Sequence, residues 1–65
     1  MNWERLSKWA IRSGPWYVCR VDLAGTKTYE LWTRQGNRDC KLGVWDTADK
    51  AKARAAQLDG NEHTT

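Results

Sequence analysis

Residues 42–58, LGVWDTADKAKARAAQL, decide the fold of this chain. The stretch opens as a strand, turns at Asp46-Thr47, and continues with Ala48, Ala51, Ala55 and Leu58 at the i, i+3, i+7 spacing of one buried helix face. Alanine is the best helix former and lets another layer approach the backbone closely. The pattern therefore predicts a helix lying flat on strands supplied by the preceding residues. Asp46 or Thr47 can cap that helix, Asp49 adds negative charge to its first turn, and Gly60 marks its end.

Before this stretch, Trp16 to Leu23 (WYVCRVDL), Thr28 to Gln35 (TYELWTRQ) and Cys40 to Trp45 (CKLGVW) are rich in β-branched and aromatic residues and read as strands. Residues 24–27, with Gly25 free to take positive φ, and residues 36–39 supply the turns. Connections this short make neighbouring strands antiparallel. In such a meander Cys19 and Cys40 stand on the first and third strands, roughly 10 Å apart, and are expected to be free thiols. Ser13-Gly14-Pro15 breaks the pattern further upstream, and MNWERLSKWAI places Trp3, Leu6, Trp9 and Ala10 on one helical arc. The expected fold is α+β: a three-stranded antiparallel meander packed on a C-terminal helix, with a short N-terminal helix over 2–11. One domain spans 1–65, its sheet-plus-helix core over 16–60, and the polar tail 61–65 is expected to be disordered.

Composition excludes several classes. A chain of 65 residues buries only about 60% of its unfolded surface, so a core this small needs large side chains, and five Trp and two Tyr supply them. Two cysteines are too few for a disulfide scaffold, and no apolar run resembles a secretion signal or a membrane span, which predicts a cytoplasmic protein. The net charge is +3 and the sequence pI near 9.1, the lower edge of the range for nucleic-acid-binding modules. His63 is the sole histidine, and no Gly-rich phosphate loop or Cys/His metal spacing occurs. Neither an enzyme, a metal nor a cofactor is expected.

Alternation along the strands assigns Tyr17, Cys19, Val21, Leu23, Tyr29, Leu31, Thr33, Cys40, Leu42 and Val44 to the face that receives the alanine stripe. The other face then carries Trp16, Val18, Arg20, Asp22, Glu30, Trp32, Arg34, Lys41 and Trp45, indoles mixed with cations around Gly43. Cations meet phosphates or base edges and indoles stack or pack on sugars, so this face suits nucleic acid. Trp and Arg also anchor protein interfaces. A further alternative is that the N-terminal helix folds back over Trp16 and Trp32 as a second small core. Trp45 is expected to wedge the corner between sheet and helix.

The segment LGVWDTADKAKARAA, with YELWTR upstream, resembles the strand-to-helix region of the APETALA2-type DNA-binding domain of plant ethylene-response factors and phage integrases. The resemblance covers about half the chain. It implies a three-stranded sheet on a C-terminal helix, with the sheet face away from the helix lying in the major groove of DNA. By position Arg34 matches a family arginine that contacts DNA, whereas Trp32 stands where the family has glutamate and Lys41 where it often has tryptophan. The Arg-Gly-Val-Arg signature of the family's first strand is absent, Arg20 being a loose stand-in. Small proteins of phages and mobile elements are similar in size and pattern, and some of them block a host protein.

Two expectations follow. The first is a small double-stranded-DNA-binding or DNA-associated module using Arg20, Trp32, Arg34, Lys41 and Trp16 on the open face, with Lys27 and Arg38 reaching phosphates from the turns. The second is an inhibitor or adaptor that binds a host protein through the same Trp-rich face. A homodimer through that face is a third arrangement, and no membrane partner is expected.

Overall fold

A computed structural model describes the backbone of residues 2–63 and the side chains of residues 2–60. The chain forms one five-stranded antiparallel sheet whose strands lie side by side in sequence order: β1 (Glu4–Ser7), β2 (Ala10–Ser13), β3 (Trp16–Leu23), β4 (Thr26–Gln35) and β5 (Arg38–Trp45). A single helix, α1 (Ala48–His63), follows. Consecutive strands are joined by two-residue turns, Lys8-Trp9, Gly14-Pro15, Ala24-Gly25 and Gly36-Asn37. Gly14, Gly25 and Gly36 take φ of +59°, +81° and +63°, and Ala24 is held at +50°, where a Cβ is unfavourable.

The three-stranded sheet and the N-terminal helix expected from the sequence are corrected. Residues 4–13 form the β1–β2 hairpin, and β2 adds to β3 with Ala10, Ile11, Arg12 and Ser13 opposite Cys19, Val18, Tyr17 and Trp16. An isolated helix of this length is marginal, whereas the hairpin satisfies the hydrogen-bonding edge that β3 would otherwise expose. The supposed helical arc is split: Leu6 is 49% exposed and Trp9 45%, whereas Trp3 packs against the core cluster. At its other end the chain continues as helix through Gly60 to His63, so residues 61–63 of the expected disordered tail are helical, and residues 64 and 65 lie outside the described residues.

Thr47 caps α1 by accepting a hydrogen bond from the Lys50 amide at 3.2 Å, while Asp46 pairs with Lys50 at 2.9 Å. Ala51 and Ala55 are fully buried and pack with Trp16, Val18 and Leu31, flanked by the partly buried Trp3, Ile11, Tyr29, Trp45 and Leu58. The registers Ile11↔Val18, Val18↔Leu31 and Leu31↔Gly43 set this face of the sheet beneath the helix. Two assignments of sidedness are therefore corrected. A turn of two residues pairs even-numbered with odd-numbered positions, so Trp16 and Val18 face inward with Leu31 and Thr33, and Tyr17 and Cys19 face outward. In β5 the register slips between Leu31 and Trp32, leaving Leu42 as the extra residue of a β-bulge. The bulge reverses the alternation, so that Gly43 and Trp45 join the helix face while Leu42 and Val44 are exposed.

Trp45 lies at the corner between sheet and helix, its indole across Gly43: a Cβ built on Gly43 would stand 2.7 Å from the Trp45 Cη2 atom. The buried Trp16 Nε1 finds no acceptor among the described residues, which offsets about 1–3 kcal/mol of what burying the indole contributes. Cys19 and Cys40 are free thiols, on opposite faces of the sheet.

Candidate nucleic-acid interface

The residues expected to form one binding surface are divided by the fold among five places. Trp32, Arg34 and Lys41 share the helix-free face, as their alternation in β4 and the pairing Trp32↔Lys41 require. Trp16 is in the core and Arg20 on the helix side. Lys27 and Arg38 flank the turns at opposite ends of β4. The open face thus loses Trp16 and Arg20, two of the five binding residues expected on it, for the reason of parity given above.

On the helix-free face Glu30 is central. Its carboxylate accepts from Trp32 Nε1 at 3.2 Å and pairs with Lys41 Nζ at 3.2 Å. Arg12 pairs with Glu4 at 3.3 Å, and Arg34 stands opposite Asp39 without an ion pair among the described residues. Tyr17, Cys19, Trp32, Arg34 and Asp39 line a shallow depression of about 360 Å³. Burial, and after it the charge of Glu30, raises the pKa of the Cys19 thiol and holds it protonated. With each of its three cations beside a carboxylate, this face presents little net charge.

Around the groove on the helix side cations outnumber carboxylates. A groove of about 410 Å³ runs between the β1–β2 hairpin and the start of α1, and its lining includes Arg5, Lys8, Arg20 and Lys52 but no carboxylate. Trp9 stands at the hairpin turn, with its carbonyl accepting from the Arg20 amide at 2.7 Å. Lys8 Nζ and the Arg20 guanidinium carbon lie 5.2 and 5.0 Å from its ring centroid, within cation–π range. Arg20 is held in that position by two hydrogen bonds to Asp22, at 3.1 and 3.0 Å, which lower the pKa of the Asp22 carboxyl and raise that of the guanidinium. Ile11, Val18 and Tyr29 line the groove from the sheet.

Arg5, Lys8 and Trp9 escape a reading of the sequence because residues 2–11 also fit a helical wheel, and Lys52 because only packing brings α1 beside the hairpin. One signal does mark the hairpin residues: Gly14-Pro15 is a two-residue, glycine-first turn between Ser13 and Trp16, a hairpin pattern that folds the N-terminal segment back along β3. Among the described residues no group of three or more His, Cys, Asp or Glu side chains is placed to hold a metal ion, and no helix is long and apolar enough to cross a membrane. No known protein family matches the chain, and neither a curated protein nor a solved structure matches it.

Proposed function

We propose that the chain is a small DNA-associated module that holds phosphates in the groove between the β1–β2 hairpin and α1. The observation that carries this reading is the lining of that groove: Arg5, Lys8, Arg20 and Lys52, from three separate parts of the fold, line it together with an exposed indole, Lys8 and Arg20 lie over that ring, and the carboxylate beside them is that of Asp22, paired with Arg20. Convergent Lys and Arg release counterions from nucleic acid, and an aromatic ring beside them gives the bases a partner. The APETALA2-like segment supports the same class of ligand, although that resemblance points to the helix-free face, where charges are balanced.

Titration of labelled duplex at two salt concentrations tests the assignment. Lys8→Ala and Lys52→Ala should each flatten the dependence of log affinity on log salt by about 0.9, while Arg34→Ala and Lys41→Ala leave it unchanged. The reverse pattern would move the interface to the helix-free face, and no binding of either duplex or single-stranded DNA at low salt would remove the DNA reading.

One observation favours a second reading, a host-protein partner on the helix-free face: the Trp32–Tyr17 depression is lined by two aromatic rings with Arg34 and Asp39 at opposite charge, an arrangement closer to a protein interface than to a phosphate site. On this reading a partner retained from nuclease-treated lysate is lost with Trp32→Ala, at a cost of about 2 kcal/mol or more, and Arg34→Ala alters mainly the on-rate. Retention undiminished by Trp32→Ala would exclude this face.

A further inference from the structure

Resting on the DNA reading of the groove, we infer that its ligand is an unstacked nucleotide of a single strand rather than a duplex. Three observations carry this. The space of about 410 Å³ is concave and of the size that holds one small ligand, whereas a duplex presents its phosphates on a broad convex surface. Trp9 projects from a hairpin turn with 45% of its surface exposed, and Trp3 and Tyr29 add aromatic surface within the same groove. The cations stand on both walls, Arg5, Lys8 and Arg20 on the sheet and Lys52 on α1, so a strand lying between them meets positive charge on either side while a base turns onto the indole. A charged track with an aromatic platform is how proteins bind single strands without reading their sequence, since every base offers a π-face.

The arrangement assigns a role to each group. Arg20, fixed by Asp22, and Lys8 both lie over the ring; the base stacks on Trp9 in place of the exposed Lys8 side chain, whose ammonium then meets a phosphate oxygen; Lys52 closes the track from the helix side. A duplex can place its backbone along the rim of the groove, but its bases are already stacked on one another and gain nothing from Trp9.

The full-length chain is titrated with a fluorescein-labelled oligothymidylate and with a matched labelled duplex in the same buffer, and tryptophan emission is followed in parallel. The single strand should bind at least about tenfold more tightly than the duplex and quench tryptophan emission, because a stacked base replaces water on the ring. Trp9→Ala should weaken single-strand binding roughly tenfold or more and by a clearly larger factor than duplex binding, and Trp9→Phe should restore most of the loss. Equal affinity for the two forms, or a duplex preference, would overturn the inference and leave the DNA reading standing. If neither nucleic acid binds at low salt, the DNA reading falls and the inference falls with it. Insensitivity of single-strand binding to Trp9→Ala would overturn the stacking role specifically.

Discussion

Gly43→Ala should destabilise the domain, and its cost should depend on one other residue. The added methyl would stand 2.7 Å from Trp45 Cη2, with Cζ3 and Cζ2 at 3.1 and 3.2 Å, all in the six-membered ring. Trp45 packs against the core cluster beneath α1, so its ring can yield in two ways. Swinging out entirely would forfeit 150–250 Å² of burial, an upper bound of about 4–6 kcal/mol at about 25 cal/mol per Å². A local shift of ring and strand costs about 1–3 kcal/mol, and the smaller figure governs because the chain takes the cheaper route. Stability for a chain of this length is roughly 3–10 kcal/mol, so the midpoint of thermal unfolding should fall by about 4–24 °C. The decisive comparison is made in Trp45→Val, whose side chain is too short to reach Gly43. There the same Gly43→Ala change should stabilise by about 0.5–1 kcal/mol, because a strand glycine without a positive φ loses more backbone freedom on folding than alanine does. Urea unfolding followed by far-ultraviolet circular dichroism gives the four stabilities. Additive effects, with Gly43→Ala equally costly in both backgrounds, would refute the packing of Trp45 on Gly43.

Ala51→Leu should cost about 1–3 kcal/mol because its site is sealed against the sheet, whereas Ala53→Leu, on the exposed side of α1, should be near neutral; equal unfolding midpoints would refute the assignment of the buried face. Ala24→Asn should stabilise by about 0.5–1 kcal/mol by relieving the positive φ of the β3–β4 turn, and a lowered midpoint would show that this turn is not strained. Asp22 and Asp46 have pKa values depressed below 3.8, by hydrogen bonds to Arg20 and Lys50 respectively. A depressed carboxyl contributes stability that is present above its unfolded pKa and lost as pH falls through the folded one, so stability should decline below about pH 4. Asp22→Asn should remove part of that decline, and superimposable acid profiles would show that the Arg20–Asp22 pair contributes none of it. The raised pKa of Cys19 predicts slow alkylation at neutral pH that accelerates in Glu30→Gln; an unchanged rate, followed by mass spectrometry of the labelled chain, would show that Glu30 has no influence.

How far the sequence speaks depends on the distance over which each signal acts. The alanine stripe of α1, the Thr47 cap and the turns at Ala24-Gly25 and Gly36-Asn37 are short-range features, legible because propensity, capping and positive φ are decided within a few residues. The side of each β3 residue was legible in principle too, since a turn of even length fixes parity. The bulge at Leu42 is not of that kind: one unpaired residue reverses every side chain after it, and only the packing of Trp45 on Gly43 beneath the helix shows where the slip falls. The N-terminal segment is a second case, because Trp3, Leu6, Trp9 and Ala10 suit a helical wheel and the hairpin is selected only by pairing with the β3 edge. The sequence by itself determined the basic charge, the indole-rich composition and the elements from Trp16 onward. Tertiary structure alone decided which face each indole and cation occupies, because Trp9, Arg20 and Lys52 are far apart along the chain and meet only when β2, β3 and α1 pack together.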